Sequence, residues 1–232
     1  MKGCLGVFGV LVGLVVLAVG YVLLGFYNIH VRYRLTVEVQ DGDQIKTGSS
    51  VIDASYTIEP DYISWSGPDT YVRIEGYAPT VDLGEKGLLF LTFADSRTGL
   101  APAERRKLVF CLFTDIGCLP FVAYDKPGTT VVNRPFSERK AELTELLRQG
   151  GPRDVPFVLL PKMAQFQDAN DPNKLVPVPP DDLTASFGPG VRLKRVILQL
   201  TDDPVTPRPQ TWPQWLTESG QTYVGILSGV TK

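Results

Sequence analysis

Between Cys4 and Phe26 the chain carries no charged and no strongly polar side chain. Those 23 residues are 18 apolar side chains and five glycines. As a helix rising ~1.5 Å per residue they would span about 35 Å, enough for the roughly 30 Å hydrocarbon layer of a bilayer with some tilt. Tyr21, Phe26 and Tyr27 fall toward the end of the run, where an aromatic belt is expected. A cleaved signal peptide is the competing reading, with Ala18-Val19-Gly20 as a passable cleavage site. The apolar run continues through Tyr21–Phe26, which favours an uncleaved single-pass anchor, a signal-anchor, over residues 1–30 and a soluble domain over 31–232. Lys2 lies on one side of the run and Arg32 and Arg34 on the other, so charge bias does not orient it. A hydrophobic N-terminal segment ahead of a soluble domain usually acts as an export signal. The expectation is therefore a domain outside the cytoplasm; in a bacterium that means an inner-membrane protein facing the periplasm.

Gly6, Gly9, Gly13 and Gly20 recur at spacings of 3, 4 and 7 and so share one helix face. Gly9 and Gly13 form a Gly-x-x-x-Gly pair, which lets two membrane helices approach closely. This face is a candidate for self-association or for a partner helix. An anchor that packs only against lipid is the simpler alternative.

All 25 Asp+Glu, and all but Lys2 of the 23 Lys+Arg, lie beyond the apolar run. A net charge of -2 gives no support to a nucleic-acid binder. All 19 prolines lie at or after Pro60, with apolar runs between them, a pattern of short strands and firm turns in which Pro also guards sheet edges. The clearest strand is Val31–Gln40. Val31, Tyr33, Leu35, Val37 and Val39 alternate with Arg32, Arg34, Thr36, Glu38 and Gln40, so one face is buried and the other solvated. Asp41-Gly42 signals a hairpin turn, and the returning strand is expected around Gly48–Glu59. Further strands are expected at Tyr71–Glu75, Leu88–Phe93, Lys107–Phe113, Phe121–Tyr124, Phe157–Leu160, Arg192–Leu200 and Tyr223–Leu227. The fold class that follows is mainly β: a β-sandwich or partly open barrel with one short amphipathic helix, preceded by a single transmembrane helix. The amphipathic helix starts at Ser137 as N-cap with Glu138 in its first turn. It aligns Leu143, Leu146 and Leu147, has Arg148 in its last turn, and ends at Gly150-Gly151-Pro152.

Several constellations can be weighed for chemistry. Cys111 and Cys118 could bridge in an exported domain, but a hairpin closed by Asp115-Ile116-Gly117 would place Cys111 opposite Phe121 and favour two free thiols. His30, the only histidine, reads as an interfacial polar residue. Gly48-Ser49-Ser50 lacks the Gly-x-Ser-x-Gly frame of a nucleophile elbow, and no phosphate loop or dinucleotide fingerprint is present, so no cofactor is implied. The oxygen-rich Asp168–Asn173 loop has Pro172 where an EF-hand loop needs a ligand, and reads as Asx-type turns rather than a metal site. Asp181-Asp182 reads as the start of a helical turn and Asp202-Asp203-Pro204 as a turn that ends a strand. Trp212 and Trp215, in Trp-Pro-Gln-Trp-Leu, are candidate contact aromatics; packing onto the sheet is the plainer role. Phe90, Phe93, Phe110 and Phe113 would suit a carrier's cavity but read first as core.

Tyr33–Ile52, Phe187–Thr206 and the Trp212–Leu216 element together resemble a group of small proteobacterial proteins with an N-terminal membrane segment, over about 45 residues in separated blocks. No activity attaches to that group, so the resemblance implies a bacterial, membrane-linked protein and supplies no catalytic residues. The expected function is a membrane-anchored envelope protein with a non-enzymatic binding or assembly module. Its expected partners are the lipid bilayer and a protein or a second copy through the helix. The alternative is a carboxylate-dependent hydrolase or glycan-active enzyme, which would need two acids about 5–9.5 Å apart with one pKa raised.

Overall fold

A computed structural model describes residues 2–58, 60, 70–93, 108–113, 137, 140–141, 144–145, 151–166, 175–210 and 212. Helix α1 (Lys2–Gly25) is followed after Phe26 by strand β1 (Tyr27–Asp41). β1 pairs along its whole length with β2 (Gln44–Ile58), from Tyr27↔Ile58 to Asp41↔Gln44. The loop between them is therefore Gly42-Asp43, with Gly42 at φ 58° in the first central position, the place where a two-residue hairpin loop demands positive φ. The alternation read from the sequence is realised: Val31, Tyr33, Leu35, Val37 and Val39 are all buried. Burying each such side chain contributes about 1.5–3 kcal/mol before chain entropy is counted.

β1 is also flanked by β9 (Val191–Leu200), and β2 by β3 (Thr70–Glu75). With the short edge strand β6 (Pro152–Asp154) they form a five-stranded sheet of order β3-β2-β1-β9-β6. A second sheet has the order β4-β5-β7-β8, from β4 (Thr80–Asp82), β5 (Leu88–Leu91), β7 (Met163–Phe166) and β8 (Leu175–Val178). Every pairing is antiparallel. Prolines sit on the edge strands β6 (Pro152) and β8 (Pro177), where a missing N–H costs no ladder bond.

The two sheets share one apolar core, in which residues of β1, β2 and β9 join Val81, Leu89, Phe90, Leu91 and Met163. Gly48 marks the closest approach: a Cβ there would lie 2.1 Å from the backbone oxygen of Thr80. Gly48 faces Val37 in register and so points inward, which explains why this strand tolerates a glycine in its interior.

Two expected strands are corrected. Residues Leu108–Phe113 form a helix, α2, and not the strand expected at Lys107–Phe113. Leu-Val-Phe-Cys-Leu-Phe has no polar alternation, and an unbroken apolar run fits a buried helix as well as a buried strand. α2 docks against β6: Arg153 stacks 4.5 Å over the Phe113 ring and donates to the Leu112 carbonyl. Phe157–Leu159 form a 3-10 turn after Pro156, and not a strand, with Phe157 exposed. The expected strands at Phe121–Tyr124 and Tyr223–Leu227 lie outside the described residues. Within the expected amphipathic helix, residues 137, 140, 141, 144 and 145 are helical. Asp182 caps α3 (Leu183–Phe187), its carboxylate accepting from the Ala185 N–H at 3.1 Å.

Candidate functional site

The solvated face of the five-stranded sheet gathers the polar groups. The Gly42-Asp43 loop sets the register that puts His30 opposite Ser55 and Arg32 opposite Asp53. His30 Nδ1 and Ser55 Oγ are 2.9 Å apart, and the same nitrogen is 3.6 Å from Asp53 Oδ1. Arg32 Nε donates to Asp53 Oδ2 at 3.2 Å. Serine, histidine and aspartate are thus neighbours, a constellation missed from the sequence, where His30 has no identifiable serine beside it. The geometry is not that of a nucleophilic relay. A relay needs the hydroxyl and the carboxylate on opposite ring nitrogens, and here both approach Nδ1. The imidazole is also 71% exposed on an open sheet face, so water is not excluded.

A second cluster lies at the other end of the same face. The β1–β9 register shifts between Glu38 and Val39, so Lys194 is an extra residue in β9. This bulge sends two cations to one acid: Arg195 donates to both Glu38 oxygens at 2.9 and 3.0 Å, and Lys194 Nζ lies 3.5 Å away. Hydrogen bonding from Arg195 holds the Glu38 carboxyl below its usual range, against a smaller opposing effect of burial. That direction is the opposite of what a general acid requires.

Between the clusters a strap crosses the face. Thr201 N–H bonds to Arg32 O on the β9 side of β1, while Thr206 bonds to Val51 through both its N–H and its hydroxyl on the far side of β2. Arg34 pairs with Asp203, and Arg32 donates to the Asp202 carbonyl. The strap explains why Val51, which faces outward opposite Arg34, is buried.

The remaining sequence candidates are dispersed. Trp212 is 5% exposed, its Nε1–H donating to Thr80 Oγ1 at 2.8 Å and its ring edge-on to Tyr77 and Phe90. It is therefore a core group and not a contact aromatic; Trp215 lies outside the described residues. Cys111 lies in α2, where the sequence leads one to expect a hairpin strand, and Cys118 is outside the described residues. Phe90, Phe93 and Phe113 are core. The Asp168–Asn173 loop is not described. Tyr33 and Tyr56 are buried, and burial raises both phenols, with Tyr33 adding to the effect at Tyr56, so both stay neutral. Ser50 points into the core, 2% exposed, and its hydroxyl has no hydrogen-bond partner among the described residues.

α1 contains Gly6, Gly9, Gly13 and Gly20. A Cβ at Gly13 or Gly20 would meet nothing within 4 Å. Among the described residues no helix is long and apolar enough to cross a membrane; in α1 the described side chains are those of residues 10–21 and 25. Over that stretch Val10, Leu11, Val12, Leu14, Val15, Val16, Leu17, Val19 and Tyr21 are all exposed.

Comparison with known proteins finds no matching family model, no matching curated protein and no matching solved structure.

Proposed function

We propose that the protein is a membrane-anchored envelope protein of a bacterium, held in the inner membrane by α1, whose β domain faces the periplasm as a non-enzymatic binding or assembly module. One observation carries the reading. α1 has no polar stripe, and its described apolar side chains point into open space on every side instead of onto the β core. A helix that is apolar all round needs an apolar surrounding, from lipid or from other helices. The Gly6–Gly20 face is the place on it where a partner helix would come closest.

The reading of the domain as a binding module is supported by its polar face. The face presents charged side chains already set in fixed geometry by cross-strand pairs and by the strap, whereas the Ser55–His30–Asp53 group is arranged unlike a catalytic relay. The test is extraction of the full-length chain from its native membrane in mild detergent, followed by affinity capture and mass measurement. A stoichiometric second protein or a defined homo-oligomer is expected. Recovery of the monomer alone would contradict the binding role.

A further inference from the structure

α1 and β1 are joined through Phe26 alone, so the domain cannot stand away from whatever surrounds the helix. Tyr27, the first residue of β1, is gripped by a segment far away in sequence: its hydroxyl is 3.3 Å from Thr144 Oγ1, and Lys140 Nζ sits 4.8 Å over its ring. Thr144 is fixed in turn by donating to the Lys140 carbonyl at 2.8 Å. Lys140 is exposed and has no carboxylate partner among the described residues. A tyrosine ring with a lysine ammonium beside it is the side-chain pair suited to the headgroup layer, where one end of each group is apolar and the other wet.

We propose that the end of the domain bearing Tyr27, Lys140 and Thr144 rests on the bilayer that holds α1, with the Lys140 ammonium on lipid headgroup phosphate. The inference depends on α1 being the anchor. The opposite end of the domain is then far from lipid. β1 runs 15 residues from Tyr27 to Asp41, roughly 45–48 Å at strand rise, and Lys86 is bound to Asp41 at that far end.

The experiment is amine acylation of the unmodified full-length chain by a water-soluble reagent, read residue by residue by mass spectrometry. It is run in phosphatidylcholine nanodiscs, in dodecylphosphocholine micelles and in dodecylmaltoside micelles. Labelling of Lys140 should fall several-fold in nanodiscs and in phosphocholine micelles relative to maltoside. Labelling of Lys86 and Lys194 should be the same in all three. Failure to co-elute with nanodiscs would remove both the anchor and this inference. Co-elution with Lys140 labelled equally in all three would leave the anchor and overturn the inference alone. Protection equal in maltoside and phosphocholine would overturn the phosphate contact.

Discussion

Replacing Gly48 by alanine tests the face-to-face packing of the two sheets. The added methyl would sit 2.1 Å from Thr80 O, 2.4 Å from Thr80 C and 2.8 Å from Val81 N. All three are backbone atoms, so no side chain can swing aside, and relief requires β2 and β4 to part by more than ~1 Å from normal contact distance. Overpacking a rigid site costs about 1–3 kcal/mol and occasionally more; backbone-on-backbone contact puts this site at the upper end, about 3 kcal/mol. With a urea dependence of about 2 kcal/mol/M, the midpoint should fall by about 1.5 M. Gly42→Ala is the control: a Cβ there meets nothing within 4 Å, and only the positive φ is penalised, at about 1–2 kcal/mol. Urea titrations of the detergent-solubilised chain, followed by far-ultraviolet circular dichroism, make the comparison. A Gly48→Ala protein within about 0.5 kcal/mol of the parent would refute the close approach of β4 to the inner face of β2.

Trp212→Phe should cost about 1–2 kcal/mol by removing the indole donor to Thr80 Oγ1, whose own donation to the Ala78 carbonyl remains, and a double-mutant cycle with Thr80→Val should return a coupling of at least about 0.5 kcal/mol; strict additivity would deny the 2.8 Å bond. Glu38 has its pKa lowered in the folded state, so its contribution is fully present above its ordinary value near 4.5 and is lost as pH falls through the lower folded value. Glu38→Gln should therefore flatten the acid limb of the stability–pH curve measured by urea titration, and an unchanged limb would count against the Arg195 contact. Ser50→Ala should be neutral or stabilising by up to about 1 kcal/mol in the same assay, because it removes a buried hydroxyl without a described partner; a loss above about 1 kcal/mol would mean the hydroxyl is bonded.

The legible part of the fold was the part written in period 2. Val31–Gln40 alternates strictly, and its burial follows that alternation residue by residue. Leu108–Phe113 does not alternate, and a helix won where a strand was expected. β4, β6 and β8 are only three or four residues long and exist because neighbours pair with them, so they leave no pattern of their own. The His30–Ser55–Asp53 group was hidden by a finer detail. Centring the turn on Asp41-Gly42 would oppose His30 to Asp53; the observed loop, Gly42-Asp43, opposes it to Ser55. A slip of one loop position moves every cross-strand pair by two residues. The strap across Arg32 and Arg34 joins positions some 170 residues apart, and its charge pairs could be read only from the assembled sheet.

The proposal that α1 holds a β domain on the outer side of an inner membrane makes a sharp prediction about topology. Fusing alkaline phosphatase, and separately green fluorescent protein, after Lys232 and washing the membranes at alkaline pH tests it most directly. Active phosphatase retained in the washed membranes and a dark fluorescent-protein fusion are expected. A fluorescent fusion with inactive phosphatase would contradict the orientation, and release of either fusion into the wash would contradict the anchor.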